Sequence, residues 1–145
     1  MKPILKNAWG YQGDNMNLPV ASVEQAIPFY EHILGFAAQS QTDGPAKKAV
    51  LCRDEIRMAL VENGGDPTQD GCAFEVENIA ELFEEFKAKG LMPRETDATP
   101  ENGSISAKLD LEKRKDGSEW KVFFVVAPDG LCYWFGEKQT ASNVT

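Results

Sequence analysis

Residues Leu18 to Phe36, LPVASVEQAIPFYEHILGF, and Phe74 to Gly90, FEVENIAELFEEFKAKG, are two versions of one unit. Offsetting the chain by the 56 residues between Val20 and Val76 pairs Ser22 with Asn78, Val23 with Ile79, Ala26 with Leu82 and Tyr30 with Phe86. Each version reads as the end of a strand, a capped helix and a glycine stop. A chain built this way folds as two similar strand–helix modules. The repeat also says where to look for a cavity shared between them. It does not supply chemistry.

At 145 residues the chain fits one domain with one core. The first module spans about residues 14–66 and the second about 67–138. A formal net charge of −8 argues against nucleic acid, which needs a clustered basic surface. The basic run Lys113–Lys115 precedes Asp116-Gly117 and reads as a solvated hairpin tip. No apolar stretch approaches the roughly 20 residues that span a bilayer. The opening MKPILKNAWG has no apolar region long enough for a secretory signal. Cys52, Cys72 and Cys132 show no CxxC spacing and leave an odd count, so reduced thiols in a cytoplasm are expected.

Ser22 is an N-cap, and Gln25 three residues later completes a capping box. Val23, Ala26, Ile27, Tyr30 and Leu34 then share a helical face, which predicts a helix over Val23–Leu34. Pro28 should bend it or cost a backbone hydrogen bond. The second helix is predicted over Ile79–Lys89, with Asn78 as its cap and Gly90 as its stop. Lys47–Arg53 and Ile56–Val61 read as strands turned at Asp54-Glu55, and Cys72–Val76 as a strand leading into the second helix. Thr96–Gly103 reads as a loop. Ile105, Ala107, Leu109 and Leu111 alternate with polar residues, as do Trp120, Val122, Phe124 and Val126, and Asp116-Gly117 joins the two runs as a hairpin. Pro128-Asp129-Gly130 is a turn, Leu131–Phe135 a last strand, and the polar tail after Glu137 is expected to fray. The order is strand–helix–strands, twice. A sheet of that size buries one face under its helix and leaves the other free to curl around a pocket.

Three segments carry a family resemblance. The first is Ala26-Ile27-Pro28-Phe29-Tyr30 with Ile33-Leu34-Gly35-Phe36. The second is Ala73-Phe74-Glu75-Val76 before the second helix, and the third is Ala127-Pro128-Asp129-Gly130 before the last strand. In this order, and in register with the repeat, they resemble the vicinal oxygen chelate superfamily. That group holds glyoxalase I, the bleomycin and fosfomycin resistance proteins, and extradiol dioxygenases. The resemblance runs from roughly Asn15 to Glu137. It implies an α+β protein of paired βαβββ modules forming a cupped, partly closed mixed sheet, the glyoxalase-like fold. Such folds host many functions.

In the metal-dependent members of that group, ligands come from set strand positions. Here those positions fall on Asn15, Gly71 and Trp134. Glycine and tryptophan offer no side-chain donor, so no metal and no cofactor are expected. Glu62 lies near where some glyoxalase-like members place a carboxylate ligand, and Glu75 is on the strand face of Gly71. Each is either a solvated rim carboxylate or a polar anchor inside a pocket. Trp134 is either core or an aromatic pocket wall, the latter favoured by its site position; for Phe124 a core role is expected. His32, the chain's one histidine, falls away from Tyr30 and Leu34 and reads as a surface residue.

These readings converge on a metal-independent small-molecule binding protein. Trp134 would be its aromatic wall and Asn15, Glu62 and Glu75 its polar anchors. The partner would be a small organic ligand, cationic or neutral given the acidic balance. The expected assembly is a homodimer, because open half-barrels leave sheet edges to cover. Two alternatives stand beside this reading. One is a glyoxalase-like lyase or isomerase with displaced carboxylate ligands. The other is a module used chiefly for association.

Overall fold

The computed structural model describes residues 3–9, 17–42, 47–54, 56–62, 64, 70–93, 103–128 and 130–139. Asn15 and residues 96–102 lie outside them. The chain starts with β1 (Ile4–Trp9). The first module follows as β2 (Asn17–Pro19), α1 (Val23–His32), β3 (Ala37–Thr42), β4 (Lys48–Arg53) and β5 (Ile56–Val61). The second is β6 (Asp70–Glu77), α2 (Ile79–Ala88), β7 (Met92–Pro93), β8 (Ser104–Ile105), β9 (Asp110–Lys113), β10 (Glu119–Val126) and β11 (Cys132–Gln139).

The modules are topological copies. The first sheet has the order β2-β5-β4-β3, and the second contains the matching path β6-β11-β10-β8. In each, the first strand lies parallel to the last. The first strands keep the 56-residue offset and equivalent pairing: Pro19 pairs with Val61, and Glu75, 56 residues after Pro19, pairs with Gly136 on a last strand set further along the chain. The fold is therefore α+β, of paired βαβββ modules. The second module carries additions: β9 pairs with β10, β7 with β8, and β1 joins the edge of β6. So the strand that precedes the first module belongs to the sheet of the second.

Both helices run close to their expected spans. α1 ends at His32, two residues short of Leu34, and α2 ends at Ala88, one short of Lys89. Past α1, Gly35 adopts φ +78° and lets the Phe36 N–H reach back to the Tyr30 carbonyl at 2.9 Å. Pro28 sits within α1, exposed, and the helix continues through it. Ser22 caps α1 as expected, its Oγ accepting from the Gln25 N–H at 3.2 Å.

The second helix corrects the sequence reading. Asn78 is left-handed, with φ 59° and ψ 53°, and its side chain makes no capping bond. Glu137 takes that role instead. Its carboxylate accepts from the N–H groups of Asn78 and Ile79, both at 3.1 Å. Glu62 does the same for α1, accepting from the Val23 N–H at 2.8 Å. The two glutamates occupy equivalent places, one residue past Val61 and one past Gly136. In each module the last strand thus delivers a carboxylate to the positive end of its own helix.

Three further expectations change. The alternation from Ile105 to Leu111 is not one strand: β8 and β9 are separate. At Ser106 the side chain enters the ladder, with Oγ accepting from the Phe124 N–H at 2.8 Å, so the hydroxyl replaces a regular backbone bond. Leu111 is 67% exposed. Phe124 is not core; it sits 36% exposed, while its neighbours Phe123 and Val125 are buried. Finally, β11 runs on past Glu137 to Gln139 rather than fraying there.

One core joins the modules. Tyr30 of α1 and Tyr133 of β11 are both fully buried, and their hydroxyls lie 2.6 Å apart. Phe74 stacks on Phe135 at 4.9 Å, and Phe135 on Phe123 at 5.0 Å. A polar clamp closes the outside. Arg53 of β4 donates to both carboxylate oxygens of Glu85 in α2, at 2.8 and 3.1 Å, and to the Leu34 carbonyl at 2.7 Å.

Candidate functional site

α2 covers one face of the large sheet, where Tyr30 of α1 also meets Tyr133. Strand register tells which residues lie on the other. Trp134 pairs with Ala73 and Phe124, Gly136 with Glu75 and Val122, and Trp120 with Lys138 and Glu112. All of these share the face opposite the buried Tyr133 and Phe135. The sheet there carries a cavity of about 580 Å³ lined by Ala73, Glu112, Arg114, Trp120 and Trp134. That volume is within the usual span for small-molecule sites, and so is the mix of aromatic walls with a few charges.

Gly136 makes the aromatic wall possible. Trp120 and Trp134 are two same-face steps apart along the strands, a separation of roughly 13 Å at the backbone. Yet their rings come within 5.5 Å of each other. They meet because the Trp134 ring lies across Gly136. A Cβ on that glycine would fall 2.3 Å from the Trp134 ring, so a side chain there would force the indole off the sheet.

The β9–β10 hairpin forms the rest of the rim. Its turn is tied to the wall by successive bonds. The Asp116 carboxylate accepts from the Ser118 N–H at 2.8 Å and the Ser118 hydroxyl at 2.5 Å. Ser118 Oγ in turn accepts from the Trp120 indole N–H at 3.0 Å. The hydrogen bond from the Ser118 hydroxyl, helped by the one from its N–H, holds the Asp116 carboxyl below its ordinary value. Arg114 leaves the turn, pairs with Glu112 at 3.2 Å, and sets its guanidinium over the Trp134 ring, 5.7 Å from the ring centre. The Lys113–Lys115 run is exposed, as the sequence implied, but its middle residue reaches the cavity.

The expected site residues separate. Trp134 is half-buried in the cavity wall. Glu75 lies on the same face, opposite Gly136, one pleat beyond the lining residues. Glu62 is committed to the α1 N-terminus. Asn15 lies outside the described residues. Sequence reading missed Glu112 and Arg114 as rim and did not commit Trp120 to the wall. A usable signal was present in Trp134-Phe135-Gly136, where a tryptophan precedes a glycine by two on one strand face.

The donor chemistry does not fit a family-type metal centre. Gly71 and Trp134 contribute no donor side chain, and the Glu62 carboxylate accepts from the Val23 N–H. Among the described residues, no group of three His, Cys, Asp or Glu side chains could hold a metal ion. A second cavity, about 290 Å³, opens at the start of α1 between Ser22, Gln25, Tyr30 and Pro128. It is smaller, and none of its lining groups among the described residues is charged.

Residues 14–122 match the family model described as the Glyoxalase/Bleomycin resistance protein/Dioxygenase superfamily. The chain belongs to that superfamily. Solved structures agree on the fold. A bleomycin resistance determinant encoded on the transposon Tn5 aligns with TM-score 0.59 and 21% identity, over 86% of this chain and 94% of that one. The bleomycin-binding protein of Streptomyces verticillus, complexed with copper(II)-bleomycin, gives TM-score 0.58 and 23% identity over the same shares. A protein from the mobile metagenome of V. pseudocholerae gives 0.61 and 18%, over 86% and 92%. No curated protein sequence matches. As a superfamily member, the chain shows its large-sheet cavity on the face that the helices leave uncovered. No helix among the described residues is long and apolar enough to cross a membrane.

Glu62 supplies a first test of how the superfamily fold is held. Replacing it by alanine should lower stability by about 0.5–2 kcal/mol, as other lost N-terminal helix caps do. Ligand affinity should stay unchanged, since the carboxylate is turned to the helix. Chemical denaturation and ligand titration of the same variant check both halves.

Proposed function

We propose that this chain is a metal-independent small-molecule binding protein of the bleomycin-resistance type. The observation that carries the reading is the cavity of Trp134, Trp120, Arg114 and Glu112, built from aromatic and charged groups, with Trp134 on a position where metal-dependent relatives would carry a ligand. The mechanism is enclosure. A flat organic ligand lies against the two indoles, and Glu112 on the rim and Glu75, one pleat beyond Ala73 on β6, supply negative charge. The net charge of −8 adds a field that favours cations over anions. Two solved superfamily folds hold bleomycin or its copper complex, which supports ligand capture as the activity.

We place the protein in the cytoplasm as a homodimer. Among the described residues Cys52 is a free thiol, in keeping with a reducing compartment. The exposed strand β3 presents an edge that a second copy could cover. Light scattering at micromolar concentration should give twice the chain mass; a monomer counts against pairing.

Metal analysis combined with a thermal-shift ligand screen tests the function. Protein purified without added metal should carry no stoichiometric Zn, Ni, Mn or Fe, and organic ligands should raise its melting temperature. Stoichiometric metal would turn attention to an enzyme with displaced ligands. A screen without hits would sink the binding reading.

A further inference from the structure

Arg114 stands in the cavity as a ligand would. Its guanidinium is planar and cationic, lies 5.7 Å over the centre of the Trp134 ring, and has a carboxylate partner, Glu112, at 3.2 Å. Those are the contacts a planar organic cation would seek on this surface. The backbone of Arg114 is fixed. Its N–H donates to the Ser118 carbonyl at 2.8 Å, and its carbonyl accepts from the Gly117 N–H at 3.0 Å. The side chain is held far less firmly. It is half-exposed, and so is Glu112, so solvent screens their ion pair.

We propose that Arg114 is an internal competitor at the Trp134 site: a ligand's planar cation displaces its guanidinium and takes over both the ring and Glu112. The inference rests on the binding reading above and deepens it by naming the ligand class as amidines, guanidines and related flat cations. It also assigns roles within the rim. Glu112 is the ligand's counter-ion, and Arg114 sets the threshold a ligand must exceed. A neutral flat molecule gains the ring but not Glu112. An anion meets Glu112 as a repulsion.

The arrangement has an opposite possibility that the experiment separates. If Arg114 stayed in place and held a ligand carboxylate, anions would bind best and removing the arginine would weaken them. Benzamidine, benzamide and benzoate share one shape and differ in charge, so they serve as probes. Each is titrated into the full chain while the indole N–H signals of Trp120 and Trp134 are followed by NMR. Benzamidine should bind tightest and benzoate weakest. Arg114→Gln should raise benzamidine affinity by about 3- to 10-fold, the size of a solvent-exposed stack and ion pair removed from competition. Glu112→Gln should weaken benzamidine and narrow the gap to benzamide. Both positions are on the exposed hairpin, and the remaining amide spectrum reports whether each variant keeps its fold.

Unchanged or weaker benzamidine binding in Arg114→Gln overturns the competitor role. So does benzoate binding best, although indole shifts in that case would leave the cavity as a ligand site. Absence of any indole shift with all three probes, in the parent and in Arg114→Gln, also ends the inference. The broader binding reading then still stands or falls on the ligand screen.

Discussion

Trp134→Ala should lower affinity for a ligand found by screening by about 10- to 100-fold, the loss typical of a central aromatic contact. Its cost in stability should be smaller, about 1–2 kcal/mol, because the indole is half-buried and packs on Trp120 and Gly136 rather than in the core. A fully buried aromatic truncation costs about 3–5 kcal/mol by comparison. Paired titration and denaturation curves separate the outcomes. Unchanged affinity with a large loss of stability would return Trp134 to a structural role and remove the wall of the proposed site.

Arg53→Ala should destabilise the protein by about 3 kcal/mol, near the lower end for breaking an ion pair withdrawn from water. Arg53 is 10% exposed, and Glu85 is 28% exposed, which moderates the figure. The substitution strips Glu85 of a two-pronged partner and leaves the Leu34 carbonyl without its Arg53 donor. It also opens space beside Gly35, whose missing side chain makes room for the guanidinium: a Cβ there would lie 2.6 Å from Nη1. Urea denaturation should show a lower midpoint with an unchanged slope. Arg53→Lys should recover only part of the loss, since an ammonium cannot fork across both carboxylate oxygens. A stability within about 0.5 kcal/mol of the parent, the usual spread of surface substitutions, would refute the clamp.

The parts of this fold that repeat were legible from the chain. Apolar positions recurring at helical spacing, bounded by Ser22, Gly35 and Gly90, placed both helices to within two residues at either end. Strand β3, AAQSQT, was silent because its alternation carries no hydrophobic contrast; as an exposed edge it buries too little to need one. Phe124 misled for a related reason. In the run VFFVV both faces of β10 are apolar, so alternation cannot say which side meets the helices.

The site was half legible. Trp134 could be singled out because the family resemblance puts a site position on the last strand, shortly after Gly130. Glu62 and Glu137 could not be read as helix caps, since each acts on a helix far from it in sequence, 39 residues away for Glu62. Local capping rules see only Asn78, which spends its backbone on a left-handed turn. Arg114 was hidden by its neighbours: between two lysines it looks like solvated charge, and only the curl of the hairpin brings it over an indole twenty residues later.

The position of β1 has a consequence for how the chain assembles in time. During synthesis, β2 through β5 and the carboxylate of Glu62 all emerge before β6 does, so the first module can close on itself early. β1 emerges before any of them but must wait: its pairing with β6 is complete only when Ile4 meets Glu77. Its Leu5 N–H can meanwhile be held by the Asp54 carboxylate, 2.8 Å away in the finished fold. β1, made before the other described strands, is thus among the later ones to be seated, and its docking stitches the finished half of the molecule to the half still forming.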